Sequence, residues 1–165
     1  MNYFYWDASA LGKRYTAEVG TTLVNHLFAG VSKDRLMALS IAIGEVTSIM
    51  VRRHNAGVIG DVEFAQALAE FRTEVVDAAD FRLESVADSL VRASLDFIER
   101  YSLNATDGIV LCSALEVANA LRGGGDDLVL VASDLRLLRA AQGEGLTTFN
   151  PELDTPAQLD ALIAS

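Results

Sequence analysis

A chain of 165 residues, 51% of them apolar, can bury one sizeable core but not two independent ones. Its 23 acids against 13 lysines and arginines give a net charge of −10, which repels polyanionic nucleic acid unless bound cations or well-placed arginines reverse the sign locally. No apolar run approaches the ~20 residues of a membrane span, the first residues lack a signal-peptide pattern, and the lone Cys112 has no disulfide partner. One domain over residues 1–165, in a reducing cytoplasm and without a membrane partner, is the expectation.

Short apolar runs alternate with amphipathic ones. A strand is predicted at 2–6, followed by helical patterns at 9–16 and 21–28; a strand at 35–39, then helices at 41–56 and 62–79. Further strands at 81–85, 128–132 and 147–149 are followed by helices at 88–101 and 106–121, at 135–142, and at 156–164 respectively. This order predicts an α/β fold, three layers α/β/α around a central, mostly parallel sheet of about five strands. Gly57 and the run Gly123 to Gly125 fall just after helical stretches, as helix stops. No glycine cluster has the spacing of a phosphate-binding or dinucleotide loop, and no internal repeat is present.

Most acids fall on solvated helix faces, but four do not. Asp7 follows the strand NYFYW, at the strand's carboxyl end, where open α/β sheets bind ligands; a helix N-cap is the alternative reading. Asp134 repeats this after DLVLVAS, again with capping as the alternative, a task Ser133 can share. Asp107 heads the stripe of Val110, Leu111, Ala114, Ala118 and Leu121, although a first-turn acid also suits the helix dipole. Glu45 lies between Ile41 and Ile49, one turn to either side, which predicts a carboxylate on a buried strip.

A buried carboxylate costs several kcal/mol unless a cation or a proton neutralises it. Four of them together repel one another, a conflict that a divalent cation resolves. All-oxygen ligation selects Mg²⁺ or Mn²⁺ over zinc. His26, His54 and Cys112 share no zinc-ligand spacing, and neither histidine has a partner for nucleophilic catalysis.

The order and setting of these acids resemble the PIN-domain family over almost the whole chain. FYWDASALGKRY resembles its opening segment, with Asp7 and Ser9 in the acid and serine positions. SIAIGEVTSIMVRRHNAG resembles the second motif through Glu45 and LNATDGIVLCSAL the third through Asp107. VASDLRLLRAAQGEGLTTFNPE resembles the fourth through Asp134, closing on Asn150-Pro151. Gly108 departs from the family, which more often has alanine after the third acid.

The resemblance implies a Mg²⁺- or Mn²⁺-dependent ribonuclease in which Asp7, Glu45, Asp107 and Asp134 hold the metal and activate water against an RNA phosphodiester. Ser9, with Ser133, would orient the carboxylates, with a serine bonding helix-start backbone as the alternative; Lys13, Arg14, Arg52 and Arg53 are the candidates for contacting the RNA backbone, with a solvated surface charge as the alternative for each. It also implies the toxin half of a toxin–antitoxin pair, of the VapC type: a homodimer blocked by a small antitoxin. The stretch 61–88 has eight acids against Arg72 and Arg82 and is a surface for basic residues of such a partner, or simply a solvated helix face.

Rival classes are distinguished by single residues. A haloacid-dehalogenase-type phosphatase wants a second Asp where Ser9 stands, and a receiver domain wants a late lysine, whereas the only lysines are Lys13 and Lys33. A PIN-like module that binds protein or RNA without cutting, its acids serving as caps and ion-pair partners, is the alternative function.

Overall fold

The sheet is parallel throughout, as runs buried on both faces require. In the computed structural model, which describes residues 1–165, β1 (Asn2–Trp6), β2 (Leu36–Leu39), β3 (Arg82–Glu84), β4 (Asp127–Val131) and β5 (Thr147–Phe149) lie in the order β3-β2-β1-β4-β5. The chain builds outward from β1 to β3, then returns to place β4 on the other side of β1. The order therefore reverses between β1 and β4, and the crevice at the carboxyl ends of these two strands is the ligand-binding position of such sheets.

Side-chain alternation along β1 divides the core into two. Phe4 and Trp6 pack with α1 (Ala8–Leu11), α2 (Thr21–Gly30), α3 (Ala42–Asn55), α4 (Asp61–Phe71) and α9 (Pro156–Ala164), through Leu11, Leu27, Met50, Phe71 and Leu159 among others. Tyr5 points to the opposite layer, with α5 (Asp88–Ala93), α7 (Ala105–Arg122) and α8 (Leu135–Gly143), and with the partly buried Phe97 of α6 (Leu95–Tyr101). The three-layer α/β/α architecture follows, and no helix is long and apolar enough to cross a membrane.

Three helices differ from their sequence patterns. The first gives way to a 3₁₀ turn at Gly12–Arg14, where Ile49 packs 3.2 Å from the position a Gly12 Cβ would take. The pattern 62–79 is α-helical as α4 and then widens into a π turn over Arg72–Val76. The pattern 88–101 breaks at Ser94, which is wholly buried and donates its hydroxyl to the Val91 carbonyl. The break lets α6 lie against α7 at Gly108, where an added Cβ would stand 2.4 Å from Ile98 Cγ1. Gly108 is thus fitted to its own neighbour.

Candidate active site

Each of the four acids sits where an element meets the carboxyl edge of the sheet. The Asp7 N–H donates to the Val131 carbonyl at 2.9 Å, tying it to the end of β4, and its side chain caps α1. Asp134 caps α8, its Oδ1 accepting the Arg136 and Leu137 N–H groups at 2.8 and 3.0 Å. Glu45 lies in the first turn of α3, just after β2. Asp107 lies in the first turn of α7, placed by the Asn104 side chain, which accepts its N–H at 2.9 Å. All four line one cleft of about 450 Å³, together with Ala8, Ser9, Ile41, Gly44, Ser48, Ile49 and Arg52.

Capping and a role in the cleft are compatible. The Ser9 hydroxyl and N–H both donate to Oδ2 of Asp7, at 2.5 and 2.9 Å, and Oδ1 takes part in neither bond. The capping bonds of Asp134 all use Oδ1. Each aspartate therefore keeps one carboxylate oxygen outside its capping bonds. The Ser9 hydroxyl also accepts the Ser133 N–H at 3.0 Å, so the backbone after β4 fixes the serine that orients Asp7. Ser133 contributes through its backbone; its own hydroxyl oxygen is buried without a partner.

The acids perturb one another. Burial raises Asp7, against the hydrogen bonds from Ser9, and the charge of Asp134 raises it further. Burial and then Asp7 raise Glu45, with the Thr106 hydroxyl opposing. Asp107 is pushed up to about 7, by burial and then by Asp7, Asp134 and Glu45, with Arg136 opposing. As the side chains stand, no three of them converge into a ready ligand set. The donors are nonetheless all carboxylate oxygens that disfavour each other's charge, a chemistry that fits a hard divalent cation.

Two sequence expectations need correction. Glu45 does not lie on the core strip of α3: Ala42, Val46 and Met50 form it, while Ile41 is 37% exposed and Ile49 is half-buried. The two isoleucines flank Glu45 as walls of the cleft instead. Of the four cations assigned to RNA, only Arg52 lines the cleft. Lys13 is 3% exposed and bonded to Glu152 at 2.6 Å, with Glu18 at 3.6 Å. Arg14 is held by Glu74 and Asn25, and Arg53 pairs with Glu18. These three are structural cations, satisfied by acids remote in the chain.

Sequence reasoning overlooked Thr106, Ser48 and Gly44. Gly44 and Ser48 share the helical face of Ile41, Glu45, Ile49 and Arg52, a period that was visible once Glu45 was chosen. The closing Asn150 is a turn-former away from the cleft: its N–H donates to Asp154, and its side chain accepts the N–H of Glu152, the partner of Lys13.

The fold and the site define an α/β protein with an acidic cleft at the switch point of a five-stranded parallel sheet. Neither a family model nor a curated protein matches the chain. Among solved structures it is similar to PAE2754 from Pyrobaculum aerophilum, at 19% identity and a TM-score of 0.56, with 100% of both chains covered. That likeness carries the fold.

Proposed function

We propose that this protein is a Mg²⁺- or Mn²⁺-dependent ribonuclease of the PIN-domain type, the toxin of a toxin–antitoxin pair, with Asp7, Glu45, Asp107 and Asp134 holding the metal. The observation that carries the reading is the meeting of four carboxylates from four separate elements in one cleft, with Asp107 raised to about 7 by burial and its three acidic neighbours. When bound, the ion supplies a Lewis acid for the scissile phosphodiester and a lowered pKa for the attacking water.

The chain's own residues do the rest. Ser9, itself fixed by the Ser133 N–H, holds Asp7 in one orientation, and Asn104 sets the first turn that presents Asp107. Arg52, at the lip of the cleft, meets an RNA phosphate and relieves the local acidity. On this reading the partners are an RNA substrate, a small antitoxin and a second copy of the chain, the last two by family resemblance.

A second reading, a PIN-like module that binds RNA or protein without cutting, has its own support: Asp7 and Asp134 are helix caps, and no three carboxylates converge. Calorimetric titration of the folded wild type and of Asp107→Asn with Mn²⁺ decides between them. The ribonuclease reading expects binding that the substitution weakens strongly, and then metal-dependent cleavage of RNA. No binding at millimolar Mn²⁺, and RNA left intact, favours the second reading.

A further inference from the structure

Gly44 is a glycine inside a long helix for which neither packing nor backbone supplies a reason. At Gly108 an added Cβ would strike Ile98, and at Gly12 it would crowd Ile49. Gly20, Gly57, Gly125 and Gly145 have the positive φ that side chains disfavour. Gly44 has neither constraint: it lies within α3 with no positive φ, and an added Cβ would meet nothing within 4 Å. A helix is stabler with alanine there. The open space before it belongs to the acidic cleft, bounded along the same helix face by Ile41, Glu45 and Ser48.

We propose that Gly44 is a specificity-determining position, a gap in the α3 wall through which a polynucleotide strand leaves the carboxylates. A nucleotide next to the scissile phosphate lies across the bare backbone, against the apolar walls of Ile41 and Ile49, with Arg52 two turns from Glu45 to meet a neighbouring phosphate. The space could hold water alone, but three features point to a strand. The gap adjoins the proposed metal ligands, apolar surface flanks it, and a cation without an acidic partner stands further along the same face. The cleft lining contains no aromatic ring, so stacking of bases on aromatic side chains is not its mode of recognition and the sieve acts by shape. This inference rests on the ribonuclease reading and extends it to the path of the substrate.

The test compares wild type, Gly44→Ala and Gly44→Leu in three measurements with Mn²⁺ present. These are the melting temperature, hydrolysis of the small diester bis(p-nitrophenyl) phosphate, and cleavage of a randomised single-stranded RNA pool. The alanine variant is expected to melt about 2–4 °C higher, from helix propensity. In the leucine variant, RNA cleavage is expected to fall at least tenfold further than small-diester hydrolysis, the deficit appearing in KM. A folded leucine variant that retains RNA cleavage overturns the sieve, and so does an equal loss on both substrates, which would place the effect at the carboxylates. A wild type that hydrolyses neither substrate overturns the ribonuclease reading itself. Small-diester hydrolysis by the wild type keeps that failure distinct from failure of the sieve.

Discussion

Two charged regions lie side by side on this fold, and they treat their charges in opposite ways. In the belt beside α1, every charge is matched: Lys13 with Glu152 and Glu18, Arg53 with Glu18, and Arg14 with Glu74. In the cleft, four carboxylates line one space, and Arg52 forms no ion pair with any of them. The same side-chain chemistry responds accordingly. Burial alone would raise Glu74, but hydrogen bonding and charge from Arg14 outweigh it and hold the group below its ordinary range. Asp107, with only the charge of Arg136 opposing and no ion pair, rises to about 7. An acid that the fold itself neutralises supports the fold, whereas acids left in mutual conflict mark a candidate ligand site.

The largest expected effect comes from removing one of the unmatched acids. Asp107→Asn should weaken Mn²⁺ binding, and with it RNA cleavage, on the order of 100-fold or more, since even residues behind metal ligands contribute 10–100-fold. Melting in the absence of metal should rise in the same variant, because a repelled carboxylate has been removed. A variant that loses stability and keeps its Mn²⁺ affinity would make Asp107 a first-turn acid and nothing more.

The matched belt should answer the other way. Lys13→Met leaves Glu152 and Glu18 without their shared cation and should cost about 2 kcal/mol in urea unfolding. That is less than the 3–5 kcal/mol of a fully buried pair because side chains of both glutamates reach solvent. Its affinity for Mn²⁺ should stay within about twofold of wild type in the same titration, by the weak coupling of sites that share no partner. A Lys13 variant that bound metal as poorly as Asp107→Asn would erase the distinction between the regions.

The contrast also explains what could be read from the chain. The strands and their parallel sheet were legible because an apolar run such as NYFYW or DLVLV between helical patterns has few places to go but the centre of a parallel sheet, whereas the order of strands across it was not. Asp7 and Asp134 were legible as positions, since strand ends lie at the ligand-binding edge. Lys13, Arg14 and Arg53 were misread because their partners lie 139, 60 and 35 residues away, a separation that local pattern does not encode. Glu45 was placed on a face that is apolar in sequence, yet the cleft, not the core, uses that face. Helix periodicity identifies a face but not what it meets. The break at Ser94 was hidden for a similar reason, since it answers to the approach of Ile98 to Gly108.

A pH series sharpens the comparison with a smaller effect. Asp107 has a folded pKa of about 7 against an ordinary 3.8, so the folded protein binds its proton more tightly than the unfolded chain. The resulting contribution to stability is fully present below about pH 3.8 and is lost as pH rises toward about 7. In metal-free melts, wild type should therefore fall behind Asp107→Asn as pH climbs through that window, by about 2–4 °C at neutrality after allowance for the exposed part of the group. Saturating Mn²⁺ should close the gap or reverse it if, as proposed, the ion binds the ionised carboxylate. A gap independent of pH would show that the conflict among the acids is absent in solution.

The smallest expected effect separates two neighbours in the chain. Arg52 and Arg53 are consecutive on α3, but Arg52 lines the cleft whereas Arg53 is engaged by Glu18. If charge alone drew RNA to the surface, alanine at either position would weaken binding alike, by long-range attraction that salt screens. If a phosphate sits at the lip of the cleft, only Arg52→Ala should reduce the slope of log affinity against log salt, by about one. Its affinity should drop about three- to tenfold, within the usual net range of a solvent-exposed hydrogen bond, about 0.5–1.5 kcal/mol. Arg53→Ala should lower the melting temperature and leave the slope unchanged, since its charge is already spent on Glu18. Anisotropy titrations of a labelled RNA at several salt concentrations read both quantities at once. Equal slopes for the two variants would return Arg52 to the class of ordinary solvated cations.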